Sequence, residues 1–295
     1  MKSAAFWQAI RDNDFAVPKG NSVAKLTPEL VSYLGSPDPV LRDTYAYPIL
    51  SYWIERGNYT DKQLREMAIQ LVTNLTVGLG ESGTDSVFGR SFSALILTEI
   101  VGRDNAQPFL AESEVKNLLR WGVEYLHAER DLRGYVPDKG WAHAPAHAAD
   151  LLRKLARSRY LDTRDLERIL AAVADKVTAP ADGVYVSNED ERLVLVVWAV
   201  LQRQLVPQTY LINWLARLVQ VNQLAPPDSP FDPTIFAAHQ NTRAFLRSLY
   251  FRIAFAKKPH ETVSKLRPKV LAAVRARLAA AGARITPVES GFETE

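Results

Sequence analysis

Three of the five histidines fall within residues 126–152, a stretch that also gathers Glu129, Asp131, Asp138, Lys139 and Trp141. His143, His147 and Asp150 are spaced i, i+4, i+7, which on a helix puts two imidazoles and a carboxylate on one face. That donor set could hold a divalent metal, with loop oxygens from Glu129, Asp131 and Asp138. The glutamate of His-Glu-x-x-His is missing, so this is not the zinc-protease motif. A packing reading competes with it. Ala142, Ala144, Ala146, Ala148 and Ala149 suit close helix contact, and buried histidines bonded to neighbouring helices need no ligand. Glu129 with Asp131, or Asp131 with Asp138, offers a second chemistry, the acid and base of a glycosidase-like cleft. Against it, loop carboxylates are usually solvated, and Asp138 is placed to cap the helix that follows.

Gly134 and Gly140 allow the loop to turn sharply. If Gly140 leads straight into the helix, the first-turn N–H groups face the loop and favour an anion, with Lys139 beside them and Asp138 filling the seat when it is empty. Trp141 is singled out among the six tryptophans because it opens a helix after a polar loop. The candidate ligand-binding set is therefore Arg90, Glu129, Asp131, Tyr135, Lys139, Trp141, His143, His147 and Asp150; the candidate metal set is His143, His147 and Asp150.

The elements that must position these residues are helices. Leu64, Met67, Ala68, Leu71, Val72 and Leu75 mark one apolar face, and Leu166–Val177, Leu211–Leu218 and Val270–Leu278 repeat the pattern. Thr27-Pro28 and Asp38-Pro39 read as helix starts, Gly35 and Gly57 as stops, and Ser187 with Asp190 as a capping box. Val184-Tyr185-Val186 is the best strand candidate. Asp38, Val40, Leu41, Thr44, Tyr45, Ile49 and Leu50 align without gaps on Asp85, Val87, Phe88, Ser91, Phe92, Ile96 and Leu97, 47 residues later. Further second helices are expected near 140, 190 and 234, and first helices near 27, 61, 113, 163 and 208. This rhythm predicts an all-α fold, an α-solenoid of stacked antiparallel helix pairs of HEAT/armadillo type. It forms one domain over residues 1–284, with a flexible tail at 285–295. Glycine-rich loops at 78–84, 128–139, 180–187 and 225–233 would line one edge. Asp43, Arg90 and His143 hold equivalent repeat positions, so a ladder of the three between stacked helices is a further expectation.

Composition excludes several classes. The absence of cysteine removes disulfides, thiolate metal sites and cysteine nucleophiles. Lys and Arg number 36 against 33 acids, an excess of three that is spread along the chain, so a basic nucleic-acid footprint is not indicated. The longest apolar run, Leu193–Leu201, falls well short of the about 20 residues a membrane span needs, and the N-terminus lacks a signal-peptide pattern. A cytoplasmic location is the expectation. No P-loop, Gly-x-Ser-x-Gly elbow or dinucleotide fingerprint occurs.

The run Glu129-Arg-Asp-Leu-Arg-Gly-Tyr-Val-Pro-Asp-Lys-Gly-Trp-Ala-His-Ala-Pro-Ala-His-Ala-Ala-Asp-Leu-Leu152 resembles the hallmark of a bacterial family known as domain of unknown function 2785. Asn13-Asp14-Phe15, Leu41-Arg-Asp43 and Arg90-Ser-Phe-Ser-Ala-Leu95 also resemble that family's pattern. The resemblance implies a helical cytosolic protein and carries no activity or cofactor with it. The leading functional expectation is a binding or scaffolding solenoid with a small-ligand pocket at the 129–150 rim, its partner a protein or a small anion. The first alternative is a hydrolase-like enzyme using His143, His147, Asp150 and the loop carboxylates, with or without a metal. The second is a HEAT-like nucleic-acid binder, an expectation from architecture alone.

Overall fold

The computed structural model describes residues 1–220, 230–257 and 261–280. Within them the chain is mostly helical, with almost no strand. The helices are α1 (Ala4–Asp12), α2 (Val23–Tyr33), α3 (Tyr47–Glu55), α4 (Asp61–Asn74), α5 (Ser86–Ala106), α6 (Glu112–Ala128), α7 (Ala144–Leu155), α8 (Thr163–Thr178), α9 (Glu189–Arg203), α10 (Gln208–Gln220), α11 (Pro233–Ala254) and α12 (Glu261–Ala280). The only sheet among the described residues is a two-residue antiparallel ribbon, β1 (Tyr135–Val136) with β2 (Gly140–Trp141). No described helix is long and apolar enough to cross a membrane. The predicted tail at 285–295, the segment 225–229 and the side chain of Leu278 lie outside the described residues.

The helices pack in two ranks. α3, α5, α7, α9 and α11 contact one another in succession, while α6, α8, α10 and α12 do the same on the other side. One apolar cluster runs between the ranks from Trp7 to Ala273. The polar ties follow the sequence period. Arg133 to the Thr84 carbonyl, Asn105 to that of Lys154, Arg159 to that of Leu110, Arg203 to that of Ala156 and Trp214 to that of Leu170 span 44 to 49 residues. These separations lie close to the 47-residue offset of the sequence self-alignment.

Several expected boundaries differ. α2 begins at Val23, where the Ser22 hydroxyl accepts from the Lys25 N–H, so Pro28 lies inside the helix rather than at its start. The earlier turn forms because Val23 and Leu26 are both buried. The helix expected from Pro39 to Gly57 opens as a π-helical segment, Val40–Ala46, before α3. Pro48 supplies the cause, since it has no N–H to continue an α-ladder, and the Tyr47 N–H reaches back five residues to the Arg42 carbonyl. The Ser187–Asp190 box is replaced by Asn188 in a left-handed conformation. Glu189 accepts from the Ser187 N–H and Asp190 accepts from Ser248 on α11. Val184–Val186 is not a strand. The Asn241 side chain of α11 holds that segment, accepting from the Tyr185 N–H and donating to the Gly183 carbonyl.

Candidate functional site

The largest correction concerns the start of α7. Gly140 does not open the helix but sits in β2, and Asp138 is a turn residue of the ribbon at φ 63° rather than a cap. The chain enters α7 through His143, itself at φ 52°, with Pro145 in the first turn. Ala144, Ala146, Ala148 and Ala149 are fully buried, so that end of the helix is packed shut and offers no anion seat. Lys139 is committed as well, its ammonium 2.7 and 2.8 Å from the two carboxylate oxygens of Asp85.

The ribbon folds back onto the Val40–Ala46 segment. Arg42 donates to the Lys139 carbonyl at 2.5 Å and to the Ser36 carbonyl at 2.6 Å. A Cβ on Gly140, whose φ is 76°, would lie 2.8 Å from the Asp43 carboxylate and 3.0 Å from the Arg42 guanidinium. Only glycine supplies that backbone and that approach together.

Below the ribbon, Arg90, Glu129 and Asp131 are fully buried and mutually satisfied. Arg90 grips Glu129 with two bonds, 2.7 Å from Nε and 3.0 Å from Nη2, and donates through Nη1 to the Val77 carbonyl and the Ser86 hydroxyl. Glu129 also accepts from the Asp131 N–H. Asp131 accepts from the Gly83 N–H and from the backbone and guanidinium of Arg133. These contacts weld the 129–133 loop to the loop before α5. They commit both carboxylates to arginines and backbone N–H groups, so neither is free to act as an acid or a base. The expected Asp43–Arg90–His143 ladder does not form: Asp43 pairs with Arg42, Arg90 with Glu129, and His143 with the Ser187 carbonyl at 2.7 Å.

What the structure does bring together is a series of rings. Tyr135, 60% exposed, stands edge-on to Trp141, 44% exposed, with centroids 5.5 Å apart. Trp141 lies 5.0 Å from His143, His143 is 5.6 Å from His147, and His147 is 5.3 Å from Phe92. The tautomers follow from the bonds. Ser91 donates its hydroxyl proton to the Ala142 carbonyl, so the 2.7 Å contact between its oxygen and His147 is a donation from Nδ1–H. Nε2 of His147 then keeps its lone pair, and among the described residues no hydrogen-bond partner takes it. Burial, with the nearby His143, Arg192 and Arg42, lowers the His147 pKa to about 3, so the ring is neutral at ordinary pH.

Asp150 lies one turn further along α7. It is buried between Arg192 and Arg153, 3.2 Å from the latter. Burial raises its pKa while the two guanidiniums oppose the shift. His143 gives its Nε2–H to the Ser187 carbonyl, which leaves the lone pair on Nδ1, so His143 and His147 each keep one uncommitted ring nitrogen among the described residues while Asp150 is held by two arginines. Among the described residues no group of three or more such side chains is arranged to hold a metal.

The sequence reading missed Ser91, Arg42, Arg192, Glu189 and Lys176. The repeat period was the available signal. Arg192 follows its partner Asp150 by 42 residues, and Lys176 follows Glu129, whose carbonyl it bonds, by 47. Glu189 is buried, takes the Ser187 N–H at 2.8 Å and lies 3.6 Å from His143.

An all-helical chain with a welded loop and a ring series at one rim is the class these features define. The profile of the family described as "Protein of unknown function (DUF2785)" matches residues 75–251, more than half of the chain, and the protein belongs to that family. No curated protein and no solved structure matches it.

Proposed function

We propose that the protein is a binding or scaffolding α-solenoid of HEAT/armadillo type, a single domain, that takes a small planar anion at the rim formed by Tyr135, Trp141, His143 and His147. The observation that carries this reading is the continuous ring series from exposed Trp141 to His147, whose Nε2 has no protein partner. An aromatic face supplies stacking area, Arg192, with its side chain 40% exposed, supplies a cation near the carboxylate, and the His147 lone pair accepts from a hydroxyl on the ligand, which salicylate has and benzoate lacks. The two ranks of helices and ties at the repeat spacing support the solenoid reading, because stacked repeats contact mainly their neighbours. The hydrolase alternative has less support. Ser91 is fully buried and its proton is committed to a carbonyl, so no accessible nucleophile stands beside His147. Nucleic acid is not among the proposed partners, since the charge excess is only three.

The test is calorimetric titration with benzoate and salicylate in the wild type, Trp141→Ala and His147→Gln. The reading expects saturable binding that weakens at least about tenfold in Trp141→Ala, roughly the contribution of one stacked aromatic. Binding that is identical in all three proteins, or absent from the wild type, rejects this site.

A further inference from the structure

A cavity of about 260 Å³ lies away from the ring series. It opens between the 127–132 segment and the 175–185 segment, and Lys176 lines it with His127, Arg130, Leu132, Pro180 and Tyr185. That volume is just below the usual range for ligand cavities, roughly 300–1,000 Å³, and suits a small occupant.

Lys176 sits in the last turn of α8 and donates to the Glu129 carbonyl. This bond has a structural use, because Glu129 ends α6 and its carbonyl needs a donor. The bond does not neutralise the amine's charge. Three acidic residues line the cavity: Glu129 is paired with Arg90, Asp175 with Arg217, and the exposed Asp182 forms no ion pair among the described residues. Among the described residues no carboxylate forms an ion pair with Lys176. Arg130 shares the cavity and repels an ammonium. An amine in this position is shifted toward its neutral form relative to an exposed lysine. Burial, assisted by Arg130 and opposed by Glu129, lowers its pKa to about 8. At pH 7.5 about a quarter of it would then be neutral, roughly 200-fold more than for an ordinary lysine. With one N–H held by the Glu129 carbonyl, the nitrogen lone pair is free to face the cavity.

We propose that Lys176 is a nucleophilic amine that forms an imine with a small oxo acid, the carbonyl carbon meeting Nζ and the carboxylate meeting Arg130. Neutral Nζ adds to the carbonyl carbon, forming a C–N bond and a carbinolamine. The C–O bond then breaks, and the oxygen leaves as water with both protons of the amine. The product is the imine, with no oxidant or reductant consumed. Desolvation and a neighbouring cation are the two devices that make a lysine nucleophilic, and this cavity has both.

The test is competitive labelling of the intact wild-type protein, which avoids any question of folding. Glyoxylate with cyanoborohydride converts each imine to a carboxymethyl-lysine that peptide mass mapping locates. Lys176 should react at least about tenfold faster than Lys62, whose side chain is 85% exposed. The rate at Lys176 should level off above about pH 8 while that at Lys62 keeps rising. Acetaldehyde, which has no carboxylate, should label Lys176 more slowly than glyoxylate, and Arg130→Ala should erase that difference. If Lys176 reacts no faster than Lys62, it is not a nucleophile and only holds the end of α6. If glyoxylate and acetaldehyde react equally at Lys176, the oxo-acid assignment fails.

Discussion

Replacing Glu129 by Gln tests whether the most acidic part of the family's hallmark run serves structure or ligand. Both members of the Arg90–Glu129 pair are wholly removed from solvent and joined by bonds of 2.7 and 3.0 Å. The amide cannot offer two acceptors to the guanidinium, so Arg90 is left as a buried cation with one side-chain bond at Glu129 missing. Breaking one side of a buried ion pair costs about 3–5 kcal/mol, a large share of the 5–15 kcal/mol typical of a folded domain. The double replacement Arg90→Met with Glu129→Met removes both charges together and should cost less than Glu129→Gln alone, since no uncompensated charge remains. Urea denaturation followed by far-UV circular dichroism gives the midpoints. Hydrogen exchange at the Gly83 and Asp131 amides reports the loop itself, which matters because repeat arrays can lose all-or-none unfolding. Glu129→Gln within about 1 kcal/mol of wild type, accompanied by lost benzoate binding, would refute the structural role and restore Glu129 as a ligand residue.

Three further outcomes are expected. Gly140→Ala should destabilise the protein by about 2 kcal/mol or more, and Gly57→Ala by about 1 kcal/mol. Both glycines have a positive φ, but only Gly140 has atoms within 3.0 Å of the added Cβ, so equal losses in urea midpoint would show that the ribbon does not press on Asp43. Because the His147 pKa is lowered from 6.5 to about 3 in the fold, the unfolded chain binds the extra proton between those values. Stability should therefore be fully present above pH 6.5 and fall with decreasing pH, by at most about 1.4 kcal/mol per unit from this group. His147→Gln should flatten that slope, and an unchanged pH profile would reject the buried neutral imidazole. Trp141→Ala should change the melting temperature little, since the ring is 44% exposed, and a fall of more than about 8 °C would mark Trp141 as a packing residue.

The helices were legible in the sequence because their apolar faces recur at the helical period over whole elements. Starts expected near 61, 113, 163, 208 and 234 agree with α4, α6, α8, α10 and α11 to within a residue. What periodicity could not supply was backbone that departs from the helix. The run of alanines after Gly140 reads as helix, yet the first usable turn begins only at Ala144, because His143 takes a left-handed conformation and the preceding residues pair as a ribbon. The π-helical segment was hidden for a related reason, since one proline shifts the bonding without changing the apolar pattern. At the site, spacing put His143, His147 and Asp150 on one helix face with Trp141 at its start, whereas α7 begins only at Ala144, and the rings of Trp141, His143 and His147 meet across the ribbon and the helix entry. Spacing could not say that Glu129 and Asp150 would be taken by Arg90 and Arg192, because those partners lie on helices distant in the sequence, whereas Arg133 beside Asp131 was in plain view. Arg90 and Glu129 are 39 residues apart, and Asp150 and Arg192 are 42 apart.

The bond from Arg42 to the Lys139 carbonyl spans 97 residues, about twice the separation of the other ties. A stack held only by nearest-neighbour contacts behaves like a row of beads, and its ends can open one at a time. A clasp across two periods changes those mechanics for the first half of the chain. The segments it encloses must open together or not at all, so hydrogen exchange should find a single protected block from the π-helical turn to the ribbon. The helices beyond α9 carry no such clasp among the described residues and should loosen in steps. The rim that holds the ring series is anchored to the cooperative block, and thermal fluctuation at the far end of the array should reach it only weakly.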